Sequence, residues 1–182
     1  MTHRSFLIRL AAASLALAAA LPAAAERADR NQPVNIEANR VSVDDRNKVH
    51  IFEGNVVLTQ GTLVIKGEKL VVTQGADGFQ SGVATGGARG LASFRQKREG
   101  RDIYVEGEAE RIEYDSRSER ARLFNRAHVS SGGDEVRGHY IEYDALSENY
   151  LVTNEPGKTT DTASGDGRVR AVIQPKSSGA GN

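Results

Sequence analysis

The side chains that most often do chemistry are sparse in this chain and badly spaced for it. Four histidines occur, His3, His50, His128 and His139. None stands in an H-x-x-x-H or H-E-x-x-H spacing, so they read as surface or edge residues rather than metal ligands. The 182 residues contain no cysteine, which removes thiol nucleophiles and thiolate-bound metals. The acidic pairs Asp44-Asp45 and Asp134-Glu135 fall in turn-forming stretches, where aspartate serves its own backbone amides. Gly157-Lys158-Thr159 has the ending of a phosphate-binding loop. The glycine such a loop needs five residues earlier is Val152, and no helix follows. The glycines at 82, 86, 87 and 90 open no helix and read as a loop or bulge. These absences predict a protein that is not an enzyme and that uses no cofactor and no metal.

A second group of residues carries a weaker suggestion. Arg89, Arg95, Lys97, Arg98 and Arg101 surround Phe94, with Glu99 the one acid among them. Such a cluster fits either a phosphate-bearing head group or a solvated loop.

The elements that must hold these residues are strands. In 49–73 (V-H-I-F-E-G-N-V-V-L-T-Q-G-T-L-V-I-K-G-E-K-L-V-V-T), Val56 and Leu58 alternate before a Gln60-Gly61 turn. Leu63 and Ile65 alternate after it, and Leu70 and Val72 follow a break at Lys66-Gly67. Alternation with period two puts each set on one strand face, and glycine supplies the positive φ of tight turns. The same pattern places strands at 33–37, 41–43, 91–94, 102–105, 111–114, 121–130, 136–143, 149–153 and 168–173. Residues 75–78, 95–101, 115–119 and 155–167 read as loops or turns. No stretch after residue 25 has the three-and-four spacing of a helix.

An internal repeat runs through this pattern. Ala38-Asn39-Arg40-Val41-Ser42-Val43-Asp44 parallels Ala109-Glu110-Arg111-Ile112-Glu113-Tyr114-Asp115. Ile51-Phe52 aligns with Leu123-Phe124, and Lys66-Gly67 with Arg137-Gly138. A several-stranded unit used about twice indicates a stacked or rolled β-architecture.

At the N-terminus, His3, Arg4 and Arg9 precede an apolar core over 10–21, and Ala23-Ala24-Ala25 forms an A-x-A cleavage site. Residues 1–25 therefore read as a secretory signal peptide rather than a membrane anchor, the apolar core being short for a bilayer. Residues 26–32 read as a flexible segment, 33–175 as one β-domain and 176–182 as a disordered tail. With Arg4 and Arg9 removed, 22 basic residues face 24 acidic ones, a formal charge of −2 that gives no footprint for nucleic acid.

Alternation alone is compatible with a sealed sandwich core, hence a non-catalytic envelope scaffold, and with two sheets that leave an apolar trough unclosed. The chain after residue 25 has no Trp and four Phe, little bulk to seal a long sandwich. The candidate lining residues are Val34, Ile36, Val43, Phe52, Leu58, Ile65, Phe94, Ile112 and Tyr114.

Gln32-Pro33-Val34-Asn35-Ile36-Glu37-Ala38-Asn39, the run Phe52-Glu53-Gly54-Asn55-Val56-Val57-Leu58-Thr59-Gln60-Gly61-Thr62, and Lys66-Gly67-Glu68-Lys69-Leu70 resemble the OstA-type domain of the LptA-like family. Gly107-Glu108-Ala109 and the closing stretch from Arg168 to Pro175 add to the likeness. The resemblance implies a single-domain, twisted, open β-jellyroll of antiparallel strands in the periplasm. It also implies transport of lipopolysaccharide, with the lipid A acyl chains shielded in a groove. Family groove positions carry over onto Val34, Ile36, Phe94 and Tyr114; at Ser116, where members can be apolar, this chain is polar. The implied partners are LptC at the N-terminal edge (Val34, Ile36), LptD at the C-terminal edge (Val169, Ala171, Val172, Ile173), and further copies of the chain head to tail.

Overall fold

The computed structural model describes residues 29–76, 78–98, 100–154 and 168–174. The expected signal peptide, the loop at 155–167 and the tail from 176 lie outside them. Within them are twelve strands, joined in antiparallel pairs: β1 (Asn35–Glu37), β2 (Arg40–Asp44), β3 (Val49–Gln60), β4 (Leu63–Gly75), β5 (Gly78–Thr85), β6 (Ala92–Lys97), β7 (Tyr104–Ala109), β8 (Arg111–Asp115), β9 (Arg120–Ser131), β10 (Asp134–Asp144), β11 (Asn149–Thr153) and β12 (Arg170–Val172). The helical content of these residues is one 3-10 turn, Asp29–Asn31.

The long strands organise everything else. β4 pairs with β3 along one edge and divides its other edge, giving Lys69–Gly75 to β5 and Val64–Lys66 to β6. β9 does the same, with β10 on one edge and β8 then β7 on the other. Because β5 pairs with β8 and β6 with β7, the sheet closes on itself. The result is two layers that share their long strands. One runs β2-β3-β4-β5-β8-β9-β10-β11, and the other β1-β3-β4-β6-β7-β9-β10-β12. This is a β-jellyroll.

A crease joins the layers, and the sequence makes it with bulges. β3 breaks register between Glu53 and Val56, where Gly54 (φ 80°) and Asn55 (φ 51°) enter the left-handed region that asparagine and glycine tolerate best. β9 bends at Asn125 and Arg126, with φ of 61° and 50°. Three backbone bonds stitch this line: Asn39 N–H to Gly54 O (2.9 Å), Gly86 N–H to Glu110 O (2.9 Å) and Glu110 N–H to Asn125 O (3.1 Å).

The repeat is structural, with one correction of register. Val41 faces Phe52, and Ile112 faces Leu123, so Phe52 corresponds to Leu123 and the offset is 71 from β1–β4 to β7–β10. β6 runs to Lys97, three residues into the stretch expected to be a loop, and two further differences from the expected strands have simple causes. The break at Lys66-Gly67 is a bend inside one strand, because Gly67 passes the Thr85 carbonyl at a distance a side chain would not allow (2.9 Å from an ideal Cβ). The glycine-rich stretch after residue 80 contains most of β5, where Gly82 leaves room for the Phe79 ring at 3.3 Å.

The core lies between the layers. Val56, Leu58, Leu63, Ile65, Leu70, Ile112, Leu123, Val129 and Ile141 are each at most 2% exposed. Burial of large aliphatic side chains contributes about 1.5–3 kcal/mol apiece relative to exposure. This core holds a domain without disulfides.

Candidate functional site: an apolar trough between the layers

Side chains directly opposite on paired strands share a face, so one row can be followed across a layer. Val43, His50, Val72, Gly82, Tyr114, Ala121, Tyr143 and Tyr150 face one another in succession from β2 to β11. All look inward. In the other layer the inward set includes Ile36, Leu58, Ile65, Phe94 and Gly107, and further along Val136 and Ala171.

Away from the crease the layers do not close evenly. Toward β1 and β2 they leave a cavity of about 510 Å³ lined by Val34, Ile36, Phe52, Val72 and Phe79, with His50, Gln32, Gln60, Gln74 and Gly78 completing the wall. That volume lies in the range of small-molecule sites. Toward β11 the space is filled with rings. Tyr143 stacks on Tyr150 at 4.8 Å and on Phe94 at 6.4 Å. Burial pushes both tyrosine hydroxyls above their ordinary pKa, since the phenolate would lose its water. At this end Arg98 of the β6–β7 loop reaches Glu148 of the β10–β11 turn, Nε to Oε1 at 3.1 Å. The guanidinium holds the Glu148 carboxyl below its usual range, and Glu148 in turn raises Arg98. This pair ties one layer to the other across the mouth.

The candidate lining residues separate into three groups. Val34, Ile36 and Phe52 line the open cavity, half-buried. Val43 sits at its lip, 54% exposed. Leu58, Ile65, Phe94, Ile112 and Tyr114 are buried further in, at most 5% exposed, in contact with the core. Sequence reasoning left out His50, Gln60, Gln74 and Phe79. The first three have the correct parity but the wrong polarity for an alternation search, and Phe79 was hidden in a glycine-rich stretch. Ser116 is buried, its hydroxyl within 2.8 Å of the Phe79 carbonyl and 3.0 Å of that of Gln80, so its polarity is spent on joining β8 to β5.

The basic cluster near Phe94 is largely neutralised within the protein. Arg89 pairs with Glu68, Arg95 with Glu106 (3.1 Å), Lys97 with Asp102 (3.2 Å) and Arg98 with Glu148. Among the described residues no three His, Asp or Glu side chains gather as metal ligands.

Both ends of the sheet are open. Among the described residues, β1 and β2 pair only with β3, and β11 and β12 only with β10. Apart from Leu146 in the β10–β11 turn, the exposed large apolar residues gather there: Val41 and Val43 on β2, Leu151 on β11, and Val169, Val172 and Ile173 at β12. Val169, Ala171 and Ile173 share the inward parity, because Ala171 faces Val136. Val172 has the outward parity.

Fold and site together define a two-layered antiparallel jellyroll with an unsealed apolar interior and two free sheet edges. The profile of the LptA/(LptD N-terminal domain) LPS transport protein family matches residues 35–149, and the chain belongs to that family. It is 30% identical over 155 residues to the lipopolysaccharide export system protein LptA of Escherichia coli (strain K12), covering 85% of this chain and 83% of that one. The LptA of Haemophilus influenzae is 34% identical over 149 residues, covering 81% and 80% of the two chains. The crystal structure of LptH, the LptA-homologous periplasmic component of the lipopolysaccharide transport device of Pseudomonas aeruginosa, superposes with a TM-score of 0.72 at 26% identity. The match covers 81% of this chain and 99% of that one.

Proposed function

We propose that this protein carries lipopolysaccharide through the periplasm without catalysis, holding the lipid A acyl chains in the trough. The observation that carries the reading is the cavity at the β1–β2 end, where Val34 and Ile36 of one layer face Phe52, Val72 and Phe79 of the other among polar neighbours. Each buried CH₂ is worth roughly 0.8 kcal/mol, so an acyl chain of about a dozen carbons loses on the order of 10 kcal/mol on entering water. An unclosed trough lets chains slide in sideways and pass along the row.

The edges extend the trough from molecule to molecule: LptC at β1–β2, LptD at β11–β12, and further copies head to tail. The internal repeat supplies a register for that contact. Inside the chain, β5 meets β8 and β6 meets β7. By the repeat, β11 and β12 stand where β5 and β6 stand, and β2 and β1 stand where β8 and β7 stand. The same joint between copies then sets Tyr150 opposite Val43, Val152 opposite Val41, Ala171 opposite Ile36 and Arg170 opposite Glu37. Exposed Val41 and Val43 become covered, and the inner row continues across the junction by strand addition. Unlike edges joining head to tail do not close a ring, so rods form.

The test is site-specific photo-crosslinking. A photoreactive residue at Ile36 or Phe52 is expected to capture lipopolysaccharide, and one at outward-facing Val57 is not. Capture at Val57 with none at Ile36 or Phe52 rejects the trough.

A further inference from the structure

Among the described residues, three buried side-chain polar atoms have no hydrogen-bond partner: His50 Nε2, Ser131 Oγ and Tyr150 Oη. Leaving such a group unpaired costs more than a typical hydrogen bond contributes, so each calls for a reason. Ser131 and Tyr150 stand close together at the β11 end, in the ring-filled part of the interior. His50 is different. It lies in the inward row between Val43 and Val72, and it lines the open cavity. Its imidazole shares the cavity lining with Ile36, Phe52 and Phe79 and with the amides of Gln60 and Gln74, yet its Nε2 pairs with none of them.

We infer that His50 is a specificity residue of the trough, hydrogen-bonding a hydroxyl group carried on an acyl chain. The inference rests on the trough reading above and adds a chemical feature of the ligand to it. A chain that fills this cavity brings Nε2 whatever polar group it carries at that depth. Rotation about χ2, which is soft for histidine, turns the nitrogen toward the guest. A hydroxyl both donates and accepts, so it satisfies Nε2 in either imidazole tautomer, whereas a carbonyl satisfies one alone. A plain hydrocarbon at the same place leaves the nitrogen unpaired and sealed from water. Discrimination therefore comes from the site's own unmet group.

The experiment compares methyl 3-hydroxylaurate with methyl laurate, two uncharged probes that differ by the hydroxyl alone. Each displaces a fluorescent fatty acid from the purified protein. The wild type is expected to prefer the hydroxylated ester by about tenfold. In His50→Leu the preference falls to within about twofold, and in His50→Gln, whose amide also donates and accepts, most of it returns. Circular dichroism checks folding; if His50→Leu does not fold, His50→Phe, which keeps a ring, takes its place. Equal binding of both esters by the wild type, or a preference that survives loss of the imidazole, overturns the role of His50 and leaves the trough standing. Displacement by neither ester removes the trough reading, and this inference with it.

Discussion

Three hairpin turns of the layer that runs from β2 to β11 use one residue type in one way. Asp44 accepts from the backbone N–H groups of Arg46 (3.1 Å) and Asn47 (3.0 Å), Asp115 from those of Arg117 (3.0 Å) and Ser118 (2.8 Å), and Asp144 from those of Leu146 and Ser147 (both 3.0 Å). Hydrogen bonding favours the carboxylate and holds all three acids below their ordinary pKa, led at Asp44 by the side-chain amide of Asn47 (2.7 Å) and at Asp115 and Asp144 by the backbone N–H groups of Ser118 and Ser147. A carboxyl depressed by folding contributes stability that is complete above its unfolded value, about 3.9, and that is lost as pH falls through the lower folded value. Denaturant midpoints are expected to be flat from neutrality to about pH 5 and to fall below about pH 4. Exchanging all three for asparagine, which keeps the acceptor without the titration, should flatten that fall. Asp29 makes a different contact. Its buried carboxylate takes the backbone N–H of Thr62 (2.9 Å) and the Thr62 hydroxyl, pinning the 3-10 turn to the β3–β4 hairpin. Asp29→Ala should cost about 1–3 kcal/mol in thermal unfolding, against less than about 0.5 kcal/mol for exposed Asp45→Ala. Asp44 and Asp115 were recognisable in the sequence as turn residues, but the partnership of Asp29 with Thr62 was not, because it joins residues 33 positions apart.

At the scale of elements, two positions decide how the layers meet. Gly107 on β7 faces Phe94 on β6, and a Cβ there would stand 2.2 Å from the Phe94 ring and 3.0 Å from Leu123. The ring occupies the room the missing side chain leaves. Gly107→Val should therefore destabilise by about 1–3 kcal/mol or more through overpacking, with part of the loss recovered in the double variant with Phe94→Leu. Equal losses in the single and double variants would show that the ring is not the obstacle. Gly54 acts through its backbone: its φ of 80° and its approach to Asn39 build the bend in β3. The alternating strands were legible because period two survives even in short runs. The bends were not, since a bulge shifts parity without leaving a composition signal. Hence β3 and β4 looked like pairs of short strands, and the repeat aligned one residue out at Phe52.

For the whole molecule, the predictions concern the edges. Arg170 has the outward parity on β12 and Glu37 on β1, where the repeat sets them opposite each other between copies. Arg170→Glu or Glu37→Arg alone should weaken end-to-end association a few-fold, as expected of an exposed ion pair, and mixing the two variants should restore it. Sedimentation velocity reads the outcome; additive weakening in the mixture would mean a different register. Val169 and Val172 direct their N–H groups to opposite sides of β12. Proline at one of them removes a donor from the free edge and should stop rods from growing. If end-to-end association survives both prolines, strand addition at this edge is wrong.

Residue order alone was enough for the class of elements, the inward parity of most lining residues, the doubling of the unit and the kinship. All of these are local or periodic properties that one strand displays alone. The tertiary structure decided which inward residues face empty space and which face one another. Val34, Ile36 and Phe52 border a cavity, while Leu58 and Ile112, of the same parity and polarity, are sealed in the core. That difference depends on the distance between two layers, which is set by bulges, by glycines under rings and by the Arg98–Glu148 tie across the mouth. No single strand carries that distance.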